Sequence, residues 1–249
     1  MRELSDLTAE TVQAALGRQH REDPIVGASG GPAGNARLTA WTGLVLLVLF
    51  LVELVTLLDV RGLISWHVAV GTLLVPPALL KTATTGWRIL RYYTGSTPYR
   101  AAGPPPLVLR LLGPFVVLST LAVLGTGVAL VLVGPDNGHH TLVTALGLRI
   151  DAITLHQAAF AGWAVLTGLH TLGRFVPAVR TTVAGVAGSH RMPGRVVRVG
   201  LLLATLVAGA LLAVLLVGRD SGWSHDRGFD QHYDRGDDRP QLVPSSKVT

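Results

Sequence analysis

Apolar residues in this chain are gathered into five blocks separated by short polar stretches. The blocks run roughly over 38–58, 63–80 with a more polar extension to 89, 111–133, 150–176 and 199–217. A helix rises 1.5 Å per residue, so about twenty residues cross the roughly 30 Å of hydrocarbon in a membrane. Strands of membrane barrels are only about ten residues long and alternate in polarity. The pattern therefore predicts an all-α integral membrane bundle of about five transmembrane helices.

The segments outside the blocks are polar. Residues 1–37 begin with a charged stretch that predicts a short surface helix, followed by a Gly/Ala-rich stretch over 27–34. Residues 177–198 form a basic loop. Residues 219–249 mix Asp, Arg, Gly, His and Pro without apolar periodicity, which predicts a disordered tail. The sequence thus indicates a membrane bundle over 38–176 and a separate fifth span over 199–218.

Composition agrees with a membrane protein and indicates its orientation. Hydrophobic residues make up 49% of the 249 residues, and the mean hydropathy is +0.47. The net charge of +6 does not indicate nucleic-acid binding, because the basic residues lie between the blocks rather than along one face. Short cytoplasmic loops retain Lys and Arg. The second-to-third and fourth-to-fifth loops do so, with Arg88, Arg91, Arg100, Arg110, Arg174, Arg180, Arg191, Arg195 and Arg198. We therefore expect a multi-pass plasma-membrane protein with a cytoplasmic N-terminus and the tail outside.

The absence of cysteine limits the chemistry. The chain has no disulfide, thiolate zinc site, covalently bound c-type haem or iron–sulfur cluster of its own. The ionisable residues inside the predicted spans then become the candidates, since a charge there costs roughly 2.5–3.5 kcal/mol or more and is expected to serve a function. These residues are Glu53, His67, Lys81, His156 and His170.

Two of these histidines are predicted to lie at the same membrane depth. The second and fourth helices run in the same direction if the hairpins alternate. His67 lies four residues after Leu63, and His156 lies five residues after Asp151. Two imidazoles at equal depth on two helices of a bundle suit axial ligation of one haem iron. Gly71, Gly125 and Gly127 would leave room for a flat macrocycle, although glycines also simply allow helices to approach.

A second level of nitrogen side chains follows fourteen residues further along. His170 follows His156 by fourteen residues, and Lys81 follows His67 by the same number. This spacing is a rise of about 21 Å and an angular offset of about 40°, so each pair shares one helix face.

These residues resemble the four-helix membrane b-type cytochromes, the cytochrome b/b6-type domain found in the haem subunits of formate dehydrogenases and hydrogenases. The resemblance covers roughly residues 38–176. It implies that His67 is the outer ligand of the second helix and that His156 and His170 are the two ligands of the fourth. The inner ligand of the second helix falls on Lys81, which departs from the family pattern. The resemblance thus implies haem b at His67 and His156 and leaves a second haem open.

Several alternatives stand beside this interpretation. Lys81 could bind iron as a neutral amine, pair with a haem propionate, or extend to the membrane interface. Glu53 could bond neighbouring side chains or carry protons in quinone chemistry. A quinone and an extracytoplasmic redox subunit are the predicted partners of an electron-transfer protein, besides membrane lipid. The rival hypothesis is a small transporter or scaffold without cofactor. His139 and His140 are interpreted as ordinary polar residues of a loop, and His225 and His232 as solvated residues of the tail, so none of them needs a functional role.

Overall fold

The structure is a computed structural model that describes residues 2–16, 18, 23–104, 107–145, 148–187, 192–219 and 223. Eight α-helices and one hairpin make up the described part of the chain. In order they are α1 Arg2–Ala15, α2 Gly31–Thr56, α3 Ile64–Tyr93, α4 Thr97–Ala101, α5 Leu107–Val133, α6 Pro135–Gly138, β1 Val143–Ala145, β2 Leu148–Ile150, α7 Ala152–Ala187 and α8 Arg195–Val217. A short 3-10 turn, Leu57–Asp59, extends α2.

Five of these helices confirm the predicted membrane spans. α2 with its 3-10 extension, α3, α5, α7 and α8 are each long and apolar enough to cross a membrane. They contain 23 to 32 residues over those spans, which at 1.5 Å per residue exceeds the roughly 30 Å of hydrocarbon. The chain is therefore a multi-pass membrane protein with a helical fold.

The helices differ from the predicted spans mainly at their ends. α2 begins at Gly31, ahead of residue 38, and α7 continues to Ala187, so the first part of the predicted basic loop 177–198 is helical. The helix passes through Pro177, where the carbonyl accepts a hydrogen bond from Thr181 Oγ1 at 2.8 Å. The apolar blocks mark only the part inside hydrocarbon, and a helix need not end where it leaves the membrane.

One element contradicts the purely helical prediction. β1 and β2 form a small antiparallel hairpin between the third and fourth spans, with Val143 opposite Ile150 and Thr144 opposite Arg149. Apart from Ile150, the first residue of the fourth apolar block, these strands lie between the blocks, where the sequence carries no strong periodicity. The predicted tail, with His225 and His232, lies outside the described residues, apart from Arg219 and Trp223.

Four of the spans close into a bundle. α2 packs against α3 and α7, and α5 packs against the same two helices, so α3 and α7 lie diagonally opposite each other. α8 packs on the outside of α3. At that contact a Cβ on Gly209 would come within 2.7 Å of the Leu73 carbonyl oxygen, so the close approach of α8 requires glycine. Diagonal helices present their inner faces to each other across the bundle centre, and this places side chains of α3 and α7 together.

The apolar centre of the bundle lies at mid-depth. Leu46 of α2 and Leu74 and Ala78 of α3 are buried there, with Leu49, Phe50 and Leu124 packed against them. Pro76 and Pro77 lie inside α3, which nevertheless runs as one helix from Ile64 to Tyr93. In membranes such prolines are tolerated because neighbouring groups satisfy the freed backbone carbonyls. The ionisable side chains predicted inside the spans lie toward the two ends of the bundle, here called the His67 end and the Lys81 end.

Candidate cofactor site

His67 and His156 meet at one end of the bundle, as the sequence predicts. His67 lies in the first turn of α3, and His156 lies in the second turn of α7. The centroids of their imidazole rings are 6.3 Å apart, and the ring planes make an angle of 78°. The predicted equal depth of the two histidines is thus confirmed. Their role as ligands stays a prediction.

The hydrogen bonds of His67 fix which ring nitrogen carries the proton. Its Nδ1 lies 3.0 Å from Thr56 Oγ1 and 2.9 Å from Glu53 Oε1. The Thr56 hydroxyl already donates its hydrogen to the Glu53 carbonyl oxygen at 2.6 Å. The threonine oxygen is therefore an acceptor, as is the carboxylate. His67 Nδ1 must then be the donor, and in the imidazole tautomer with that proton the lone pair lies on Nε2.

The same logic applies to His156, with partners from α5. Its Nδ1 lies 2.9 Å from Thr126 Oγ1. That hydroxyl donates to the Ala122 carbonyl at 2.7 Å and reaches the Val123 carbonyl at 3.1 Å. Thr126 Oγ1 is consequently the acceptor of the His156 Nδ1 proton, and Nε2 again carries the lone pair.

Two imidazoles that both donate a hydrogen bond from Nδ1 can each offer Nε2 to a metal held between them. Both Nδ1 atoms have a hydrogen-bond partner on a neighbouring helix or turn, and the His156 ring also has a hydrogen bond to the backbone of Val123. Histidine ligands of metals commonly donate the other ring N–H to a carboxylate, carbonyl or similar acceptor, which orients the ring. Two metal–imidazole bonds of about 2 Å, plus the radii of the rings, separate the ring centroids by about 6 Å. The observed 6.3 Å matches that separation.

Small residues border this pair. A Cβ on Gly127 would lie 3.1 Å from His156 Cε1, and a Cβ on Gly71 would lie 3.2 Å from Glu53 Oε1. These two glycines thus make room for the histidine and for the carboxylate that contacts the other histidine. Gly125 has open space around its Cβ position and borders an apolar cleft with Val75 and Leu79. Gly71 and Gly127 therefore border the histidine pair and its partners, whereas Gly125 borders an apolar cleft.

A stripe of buried side chains on α7 connects the His67 end with the Lys81 end. Trp163, seven residues after His156, is 6% exposed, and its ring centroid lies 4.6 Å from that of Phe50. Trp163 Nε1, Thr167 Oγ1 and His170 Nδ1 are buried without a hydrogen-bond partner in the described residues. Buried polar atoms normally find partners. Polar atoms of α7 are therefore buried between the two ends of the bundle.

Lys81 and His170 belong to one cluster at the opposite end, as predicted. His170 lies within electrostatic range of Lys81 and Arg174. Lys81 Nζ donates to the Thr39 carbonyl at 3.4 Å, a long hydrogen bond, and Gly43 leaves space for the ammonium group. No direct contact between the Lys81 and His170 side chains is present here. The three roles predicted for Lys81, as an iron ligand, as a partner of a haem propionate or as a residue that extends to the membrane interface, stay predictions.

Thr56, Thr126 and Trp163 were not singled out by the sequence. Trp163 could have been found, because it lies midway between His156 and His170 at seven-residue steps on the same helix face. The threonines carry no comparable signal. Threonines in membrane helices commonly bond the carbonyl one turn back, and only the tertiary packing brings their oxygens to a histidine.

Comparisons of the chain with protein-family models, curated proteins and solved structures find no match. The candidate site therefore rests on its own geometry. Among the described residues no group of three or more His, Asp or Glu side chains is arranged to hold a metal ion. Two imidazoles alone leave a bare ion short of ligands, whereas a porphyrin brings four equatorial nitrogens of its own. The donor set thus fits haem better than a free metal ion.

Proposed function

We propose that this protein is a membrane b-type cytochrome that carries electrons between a quinone or another redox partner and the opposite face of the membrane. The observation that carries the proposal is the pair of imidazoles of His67 and His156, whose ring centroids lie 6.3 Å apart and whose Nδ1 atoms are each held by a threonine hydroxyl. His67 and His156 would hold haem b through their imidazole nitrogens. When bound, haem supplies reversible one-electron transfer.

The chain's own residues hold and shield the site. Thr56 and Glu53 orient His67, and Thr126 orients His156, so that neither ring needs to change tautomer to bind iron. Phe50 and Trp163 pack against each other seven residues further along α7 than His156, with their ring centroids 4.6 Å apart. The proposal assigns no catalytic residue to this chain. Substrate chemistry would then belong to a partner subunit at the His67 end, and a quinone would reach the protein through the lipid.

An optical spectrum of the purified protein tests the proposal and counts the cofactors. Reduction by dithionite should produce the sharp visible bands of a six-coordinate b-type haem, at about one haem per chain. Lys81→Ala should leave both the spectrum and the ratio unchanged, because a lysine must lose its proton to bind iron. Absence of any haem band, after expression with haem available, would favour the cofactor-free transporter or scaffold.

The haem ratio also decides the second site. A wild-type ratio near two that falls to one in Lys81→Ala would contradict our expectation of a single haem. His170→Ala should then give the same loss, because both side chains would hold the same iron. Lys81→Arg is the matched control, since it keeps the positive charge at that end but cannot supply a neutral amine.

Reporter fusions test the proposed orientation. A tag placed before Gly31 should react only with cytoplasmic reagents, and a tag placed after Val217 should react only from outside, because the spans number five and the arginine-rich loops are retained in the cytoplasm. A tag after Val217 that is accessible only from the cytoplasm would place the His67 end on the opposite side or change the span count.

A further inference from the structure

Four buried polar atoms inside the bundle have no hydrogen-bond partner among the described residues. They are Glu53 Oε2 of α2 and three atoms of α7, namely Trp163 Nε1, Thr167 Oγ1 and His170 Nδ1. A buried polar atom without a partner costs free energy, and the hydrocarbon of a membrane offers it no water from outside. Four such atoms in one bundle therefore need partners of another kind.

The three atoms on α7 belong to a row of side chains on one face of that helix. Thr167 follows Trp163 by four residues, and His170 follows Thr167 by three. Side chains at these spacings lie one above the other on a helix. Successive members are thus about 4.5 to 6 Å apart along the helix axis. One water molecule can bridge such a gap with two hydrogen bonds.

One end of the row lies beside the Lys81 ammonium group. The contact of the Phe50 and Trp163 rings places these two residues of α2 and α7 at one depth. Gly43 precedes Phe50 by seven residues, and His170 follows Trp163 by the same number. Because α2 and α7 run in opposite directions, both positions lie about 10.5 Å further toward the Lys81 end. Lys81 Nζ lies 2.8 Å from the place that a Cβ on Gly43 would take, so it is level with His170.

The other end of the row comes within one turn of Glu53. Glu53 follows Phe50 by three residues, which is about 4.5 Å toward the His67 end. Its Oε1 contacts His67 Nδ1 at 2.9 Å, and its Oε2 is the atom without a partner. The side chains of Glu53 and His67 are 15% and 21% exposed. At the Lys81 end, Arg174 is exposed one turn after His170. The polar row therefore connects two ends of the bundle that are each partly open.

We propose that ordered water molecules bond to this row and form a proton path through the bundle between the Lys81 end and the His67 end. Water is the usual partner of buried polar groups that have no protein partner. Ionisable residues inside membrane helices, such as Lys81 and His170, commonly mark proton relays. Thr167 can both donate and accept a hydrogen bond, whereas the Trp163 indole only donates and thus orients a water molecule.

The path moves protons without any net change in the protein. A proton enters from water at the Lys81 end, passes along the hydrogen bonds of the waters, Thr167 and His170, and leaves to water beyond Glu53. Each side chain ends with the number of protons with which it began, so a proton gradient or a membrane potential is the only driving force needed. The path uses none of the nitrogens proposed to hold iron, and it therefore does not depend on the cofactor proposal.

Proton flux into liposomes that contain the purified protein tests the path. With a pH-sensitive dye inside and a potassium diffusion potential that is negative inside, the wild type should acidify the interior about tenfold faster than liposomes without protein. Thr167→Val keeps the shape of the side chain but removes the hydroxyl, so it should slow the flux by about fivefold. Thr167→Ser keeps a hydroxyl and should keep the wild-type rate. Thr182→Val is the matched control on the same helix, because the Thr182 hydroxyl already donates to the Ala178 carbonyl at 2.9 Å.

An introduced thiol shows whether the row is in contact with water. The chain has no cysteine of its own, so a single substitution can be labelled without background. Thr167→Cys should react with a small water-soluble methanethiosulfonate about tenfold faster than Val165→Cys, because the reactive thiolate forms in contact with water. Val165 is the control, since it lies two residues from Thr167 but is 64% exposed on the outer surface of the bundle, which lipid covers in a membrane.

Three results would overturn the proton path. A wild-type flux no faster than that of empty liposomes would mean that no protons pass. Equal slowing by Thr167→Val and Thr182→Val would mean that the row is not the route. Equal reaction rates of Thr167→Cys and Val165→Cys would mean that the row is dry, and this measurement decides the matter if Thr167→Val does not fold. Haem content measured on the same samples keeps the outcome separate from that of the cofactor proposal.

Discussion

Replacing either His67 or His156 with alanine should remove the same haem from the protein. In the proposed site each substitution would delete one of the two nitrogens that hold the iron, and the remaining imidazole could not by itself complete six ligands. We expect the haem-to-protein ratio to fall from about one to less than about a tenth in each variant. The measurement is the haem content of purified protein, together with the reduced-minus-oxidised spectrum.

The control is His140→Ala, which removes an exposed histidine from the loop after α6. It should leave the haem content unchanged. Retention of a normal spectrum in both His67→Ala and His156→Ala would contradict the assignment and return the two imidazoles to a packing role.

A folding defect can be told apart from loss of a ligand. Glycine in place of His156 leaves a space of the size of imidazole, and added imidazole should enter it and restore the six-coordinate spectrum. Protein that has merely failed to fold would not respond to imidazole. The helix content of each variant, measured by circular dichroism, provides a second check.

The membrane spans could be predicted from the sequence because the hydrocarbon layer acts on composition alone. Every stretch of about twenty apolar residues became a helix, whatever its detailed order. The ends of those helices could not be predicted in the same way. The extension of α7 to Ala187 and the hairpin Val143–Ala145 with Leu148–Ile150 lie in water-exposed segments, where hydropathy carries little information.

The meeting of His67 and His156 could also be predicted, because helix rise and alternating direction fix depth. The position of each helix around the bundle could not be predicted in this way. That α3 and α7 lie diagonally opposite follows from which faces pack, and single-helix periodicity does not reveal the packing partner. The choice of Thr56 and Thr126 as partners of the two histidines depends on that packing, and so it emerged only from the structure.

Thr126→Val is also expected to have a large effect, on the affinity of the protein for haem rather than on the histidines proposed to hold it. Thr126→Val keeps the size and shape of the side chain but removes the acceptor of the His156 Nδ1 proton. The ring then loses the side-chain partner that orients it and keeps only the backbone of Val123, so its proton can move to Nε2, where it would block the lone pair proposed to bind iron. Loss of such a supporting partner typically weakens metal binding by about 10- to 100-fold. Haem titration of the apoprotein measures this.

Thr56→Val should have a smaller effect than Thr126→Val. When the Thr56 hydroxyl is lost, His67 Nδ1 keeps Glu53 Oε1 at 2.9 Å, and a carboxylate is a stronger acceptor than the Val123 backbone carbonyl that stays beside His156 in Thr126→Val. Thr120→Val is the matched control for Thr126→Val. Thr120 lies on the same helix, and its hydroxyl donates to the Val116 carbonyl at 2.7 Å, as that of Thr126 does to Ala122. If Thr120→Val weakened haem binding as strongly, the effect would come from the helix α5 and not from the orientation of His156.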